Sequence, residues 1–173
     1  MNIFYLHPVA QIAATMHCDK HVGKMLIESC QLLATAHHHY GNGANVTYKP
    51  THKNHPSAIW VRQSVLHYNY LVDLACGLGA EFYKRYGKRH KSHEVLVAEL
   101  LLAPKDMHDI PYRWQTPPLA MPDAYKSDNA LTSYRRYYAS KIATMPLVYY
   151  KGKAPRPYWL QELLWSQDLR SAA

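Results

Sequence analysis

The sequence predicts an all-α fold: a single compact domain of about four to five helices, with an extended N-terminal segment and an ordered aromatic-basic loop near the C-terminus. Three observations lead there. Two long stretches place apolar residues at helical spacing; 173 residues suit one domain with a core better than two; and the chain shows no internal repeat, low-complexity segment or linker.

In order along the chain, "MNIFYL" is a short apolar, β-leaning run that stops at Pro8, which predicts an extended segment against the body of the domain. From Gln11 to about His39 there is no proline, and Val22, Met25, Leu26, Leu32, Leu33 and Ala36 recur at helical spacing, predicting the first long helix. "GNGANVTYKP" breaks it. A second long helix is predicted from about Pro56 to Tyr86, with proline suited to its first turn and an apolar stripe through Ile59, Trp60, Leu66, Tyr70, Leu71, Leu74, Phe82 and Tyr83. Gly77 and Gly79 each cost about 1 kcal/mol there unless something packs closely on them. "SHEVLVAELLLAP" predicts a shorter helix over about 92 to 103, and proline-rich residues 104 to 127 an ordered loop. Ser127 or Asp128 then caps a helix to about Thr144, and "PYWLQELLWSQDL" forms the last one.

Composition narrows the functional classes. Twenty Lys and Arg against twelve Asp and Glu give a formal charge of +8 and favour polyanionic partners, though a plain basic protein has the same balance. The twelve histidines add charge below about pH 6.5. Three cysteines without C-x-x-C spacing argue for reduced thiols. No apolar run nears the roughly 18 residues a membrane span needs, and no signal-peptide plan is visible. A cytoplasmic monomer with no membrane association is the expectation.

The stretch "MHCDKHVGKMLIE" carries the densest chemistry. At 100° per residue His17, His21, Lys24, Glu28 and Gln31 fall within roughly 80° of one another, opposite the apolar stripe. Such a face can be only the wet side of a helix. It can also hold zinc through His17 and His21 at i, i+4, but the internal glutamate of H-E-x-x-H is lacking and Cys18 points about 100° away, so no metal or other cofactor is expected. The third option is an acid-base pocket, with Glu28 and His21 bracketing a substrate whose phosphates Lys20 and Lys24 hold. Duplex DNA suits that arrangement. Further cations sit in "KRYGKRHK" (Arg85, Lys88, Arg89), at Arg62, Arg135, Arg136 and Lys141, and at Lys151 and Lys153 among Tyr149, Tyr150, Tyr158 and Trp159. Aromatics beside cations stack on bases while the charges meet phosphates, although the 84 to 91 cluster also suits a helix C-terminus without DNA.

Three stretches in this order resemble the pyrimidine-dimer DNA glycosylases, the endonuclease V of T-even phages and its viral relatives. "DKHVGKMLIE" puts Glu28 seven residues after His21, as the family's D-Q-H segment precedes its catalytic glutamate. "SKIATMPLVYYKGKA" supplies Lys141, Pro146, Tyr149, Tyr150 and Lys153 where the family has K-I-A, proline and Y-Y-G-K. "LHYNYLVDLACGLGAEFYKRYGKR" is similar to its long middle helix. Together they cover about half of the chain.

The resemblance implies an enzyme that flips a nucleotide from duplex DNA, attacks the sugar C1′ with the N-terminal amine, releases the base through a Schiff base and cleaves the abasic strand by β-elimination. An α-amine in a peptide titrates near 8 and a lysine near 10.4, which favours the former as a neutral nucleophile. The implied catalytic set is Met1, Asn2, His21 and Glu28, with Glu28 assisting sugar opening and proton transfer. Two departures stand out: "MNIF" replaces the family's threonine start, and Ile27 and Gln31 replace its arginines beside and after the glutamate. The alternatives are an enzyme that modifies a flipped, hypermodified pyrimidine without cutting the strand, and a DNA-binding or inhibitor protein without catalysis.

Overall fold

The computed structural model describes residues 1–109 and 113–171, and these are all-helical, with seven α-helices and no strand. The N-terminal segment has no regular secondary structure and runs into the interior with a turn at Phe4, Ile3 and Leu6 being fully excluded from solvent. α1 (Ala10–Thr15) and α2 (Asp19–His39) follow where one helix is expected. The break at residues 16–18 has neither glycine nor proline. Long-range partners take over its backbone groups: Arg85 donates to the carbonyls of Thr15 and His17, Cys18 N–H donates to the Tyr138 hydroxyl, and Asp19 N–H donates to Val148 O.

The second expected helix also divides, into α3 (Pro56–Val61) and α4 (Val65–Tyr86). Pro56 opens α3 as expected, and Ser64 caps α4 by accepting the Leu66 N–H at 3.2 Å. The two glycines of α4 mark close approaches. A Cβ on Gly77 would stand 2.8 Å from that of Ala14 in α1, and one on Gly79 would enter the ring of His93. α2 and α4 pack side by side as the centre of the fold, with α1 across α4.

α5 (Lys91–Val95) passes into a π-helical turn over Leu96–Leu100, which together match the expected short helix. Of the proline-rich segment, residues 110–112 lie outside the described residues; on either side are short 3₁₀ turns at Lys105–Asp109 and Asp123–Tyr125, and Trp60 Nε1 donates to Gln115 O at 2.9 Å. α6 (Ala130–Ala139) is capped by Asn129 rather than Ser127 or Asp128, because the Asn129 side chain accepts the Thr132 N–H. It continues as a 3₁₀ turn over Ser140–Ala143, and α7 (Tyr158–Ser171) ends the described chain.

One buried ionic cluster ties these elements. Arg85 of α4, its side chain wholly excluded, bonds Glu81 at 2.7 Å and Asp19 at 3.1 Å. Asp19 in turn accepts the backbone N–H groups of Tyr150 and Lys151, and Tyr150 donates its hydroxyl to Glu81. Removing one member of such a set leaves an uncompensated buried charge.

Candidate active site

A buried, turned amino terminus builds the site. Phe4 takes the left-handed conformation (φ 49°), a costly one for an aromatic residue, and Asn2 holds the turn: its Oδ1 accepts from Phe4 N–H at 2.8 Å and its Nδ2 donates to Ala120 O at 3.0 Å. This hook carries the first two backbone nitrogens to α2. Asn2 N–H donates to Glu28 Oε2 at 2.9 Å, and the Met1 amine lies 3.9 Å from the same oxygen. The other carboxylate oxygen of Glu28 lies 3.8 Å from Lys24 Nζ, whose side chain is 64 % exposed at the rim.

These groups open into a cavity of about 310 Å³ whose walls include Phe4, His21, Tyr137, Lys141, Thr144 and Met145. Lys141 is aimed by its Nζ lying 3.8 Å from the centre of the Tyr137 ring. Three amines, from Met1, Lys24 and Lys141, therefore share this lining with a single carboxylate. Such a lining attracts an anion, and it supplies both a nucleophile and a proton carrier.

His21 is placed otherwise than on a solvated face. Its ring stacks on Phe4 with centroids 5.1 Å apart and meets the edge of Tyr138, so it is buried yet borders the cavity. Burial, and then the nearby His17, Lys24 and Lys141, hold its pKa down to about 3. It is a neutral imidazole at physiological pH and makes no cationic phosphate contact.

His17 needs a larger correction. It lies in the break between α1 and α2, is fully buried and does not share the face of His21 and Glu28, so neither the DNA contact nor the helical i, i+4 pair expected of it exists. Burial lowers its pKa to about 4. Its Nδ1 lies 2.8 Å from Ala13 O; since a carbonyl only accepts, that nitrogen carries the proton and Nε2 keeps a lone pair. His17 Nε2 and His21 Nδ1 are both buried without a hydrogen-bond partner. Among the described residues no three His, Cys, Asp or Glu side chains gather as a metal site.

Two other expected DNA contacts are buried. Arg85 spends its guanidinium on Glu81, Asp19 and backbone carbonyls, and Tyr149 is inside with its hydroxyl donating to Met16 O at 2.9 Å. Tyr150 is half-buried beneath the side chains of Lys84 and Arg85. Gln31, one turn beyond Glu28, is half-buried outside the cavity, and Arg62 donates to Lys53 O at the end of α3. Lys20, Lys88, Arg89, Arg136, Lys151 and Lys153 are exposed, and Arg135 is half-buried with its Nε donating to Leu6 O.

Of the sequence-derived residues, the structure thus gathers Met1, Asn2, His21, Lys24, Glu28 and Lys141. Sequence reasoning missed Phe4, Ala120 and Tyr137. Ala120 carries no local signal, whereas Tyr137 sits four residues before Lys141 on a tyrosine-rich helix and was open to recognition as its platform. No protein-family model, curated protein or solved structure matches the chain. No helix among the described residues is long and apolar enough to cross a membrane.

Proposed function

We propose that this protein is a DNA glycosylase with abasic-site lyase activity, which extrudes a nucleotide from duplex DNA and attacks its C1′ with the Met1 amine. The observation that carries the proposal is the convergence of the Met1 nitrogen and the Glu28 carboxylate, 3.9 Å apart in the lining of a cavity that also carries Lys24 and Lys141. The order of motifs shared with the pyrimidine-dimer glycosylases supports the same chemistry.

The neutral amine bonds to C1′ as the N-glycosidic bond breaks, and the departing base takes a proton. Loss of the N–H proton, with protonation of the ring oxygen as the sugar opens, gives the iminium form of the Schiff base. Removal of a C2′ proton then expels the 3′ oxygen with its phosphate, and water hydrolyses the imine to release the amine. Glu28, tied by the Asn2 N–H, is placed to take the amine's proton and to pass protons to and from the sugar. Lys24 and Lys141 receive the flanking phosphates, and neutral His21 with Phe4 forms the wall against the extruded sugar.

Incubation with duplexes carrying an abasic site, a thymine dimer or modified pyrimidines, read together by strand cleavage and nucleoside mass, tests the proposal. Cleavage of the abasic duplex, lost in Glu28→Gln, is expected. Intact strands with a mass-shifted nucleoside point instead to a base-modifying enzyme, and binding without either product to a non-catalytic protein.

A further inference from the structure

The C-terminal segment builds a second cavity, of about 520 Å³, that the amino-terminal chemistry does not use. Its apolar walls come from Met16, Tyr149, Pro155 and Pro157, and Tyr158 stands at its rim, 75 % exposed. Two arginines border it with donors to spare. Arg135 spends only Nε, on Leu6 O at 3.1 Å, and Arg156 only Nε, on Leu147 O at 3.2 Å. Neither guanidinium pairs with a carboxylate among the residues whose side chains are described. Trp159, 9 % exposed and lying 5.2 Å under the Arg135 guanidinium, has its indole N–H buried without an acceptor. A cavity with apolar and aromatic walls and two guanidiniums with unused N–H donors calls for an anion with a flat, apolar body.

The surroundings say which. Tyr150 and Ala154 are shared with a neighbouring cavity bordered by Lys84, Lys151 and Lys153. The loop between the two is held in a costly shape: Tyr150 and Lys151 are left-handed (φ 49° and 56°), and Asp19 clamps both of their N–H groups. That clamp leaves the lysine side chains outward, beside the arginine-lined cavity. Guanidinium forks match phosphate oxygens, tyrosine and proline faces take a base, and three adjacent ammonium groups suit further phosphates.

We infer that the cavity between Arg135, Arg156 and Trp159 is a nucleotide-binding site, with phosphate on the two guanidiniums and the base against the Tyr158 rim, next to the Trp159 indole. It stands apart from the amino-terminal cavity and does not depend on the reaction proposed there. The nucleotide comes either free or as one unit of a polynucleotide strand, which in the latter case continues past Tyr150 toward Lys151 and Lys153.

The test is a titration of the full chain carrying ¹⁵N-labelled tryptophan, with the Trp159 indole signal identified by its loss in Trp159→Phe. Thymidine 5′-monophosphate is expected to shift that signal saturably, and thymidine at least about tenfold more weakly. Arg156→Glu should weaken the nucleotide's effect by about tenfold or more with the melting temperature retained. Saturation by a short single strand or duplex at lower concentration than by the mononucleotide identifies a strand as the source; equal or weaker saturation identifies the free nucleotide. An indole signal that ignores every nucleotide probe overturns the inference. So does a shift untouched by Arg156→Glu, or one produced by a peptide's terminal carboxylate but not by the mononucleotide. Abasic-site cleavage, measured on the same Arg156→Glu protein, reports separately on the amino-terminal site.

Discussion

Mild acid should destabilise this protein, because two of its histidines are buried neutral. An ordinary histidine in an unfolded chain titrates near 6.5, whereas burial lowers His17 to about 4 and His21 to about 3. Both folded values are depressed, so as pH falls below 6.5 protons bind the unfolded chain first. Stability contributed by the neutral rings is complete above that pH and drains until the folded values are reached. At pH 5 the unfolded chain is favoured about thirtyfold per histidine, or about 2 kcal/mol each and about 4 kcal/mol for the pair. For a chain of this length that lowers the melting temperature by on the order of 10 °C between pH 7 and pH 5. His37 and His67, lowered by burial in the same direction, add to the effect. Circular dichroism melts at the two pH values, on the wild type and on His17→Leu, give the measurement. The variant should lose about half of the acid sensitivity assigned to the pair. A wild-type drop of less than about 2 °C, or equal drops in both proteins, refutes the buried neutral pair and returns these histidines to a solvated face.

Glu28→Gln should lower abasic-strand cleavage by about 10²- to 10⁴-fold in single-turnover assays while duplex affinity changes by less than about threefold, since the amide keeps the size and loses the proton carrier. Arg85→Met should cost about 3–5 kcal/mol in urea unfolding, because Asp19 and Glu81 are left buried without their cation. Gly77→Ala should destabilise by about 1–2 kcal/mol in the same assay: the roughly 1 kcal/mol gain in helix propensity is outweighed by a Cβ placed 2.8 Å from that of Ala14. Lys24→Ala with Lys141→Ala should flatten the dependence of log K on log salt by about two units, measured by fluorescence anisotropy on duplex DNA.

The helical class, the buried α2 and α4, and the inward run of residues 1–6 were legible because hydrophobic spacing reports burial directly. The break at residues 16–18 was not, since it is made by Arg85, Tyr138 and Val148, which lie more than 60 positions away. That one break also explains the misplacement of His17: a helical wheel drawn through residue 17 assumes a helix that a distant guanidinium interrupts. The break before α4 had a local signal in Ser64, a capping residue overlooked beside an unbroken apolar stripe. In the site, Glu28 and Lys24 were readable from one helix face. Their meeting with Met1 depends on chain folding and was reached only through the family resemblance, while the arrival of Lys141 in the same cavity was not foreseen. Arg85 shows the limit of counting cations: its neighbour Lys84 is exposed while Arg85 is spent inside.

Borohydride reduction of the protein mixed with an abasic-site duplex, followed by proteolysis and mass mapping of the cross-link, tests the central claim most directly. A DNA adduct on the α-nitrogen of Met1, absent after N-terminal acetylation and strongly reduced in Glu28→Gln, is the expected result. No adduct, or one carried by a lysine and indifferent to acetylation, contradicts it.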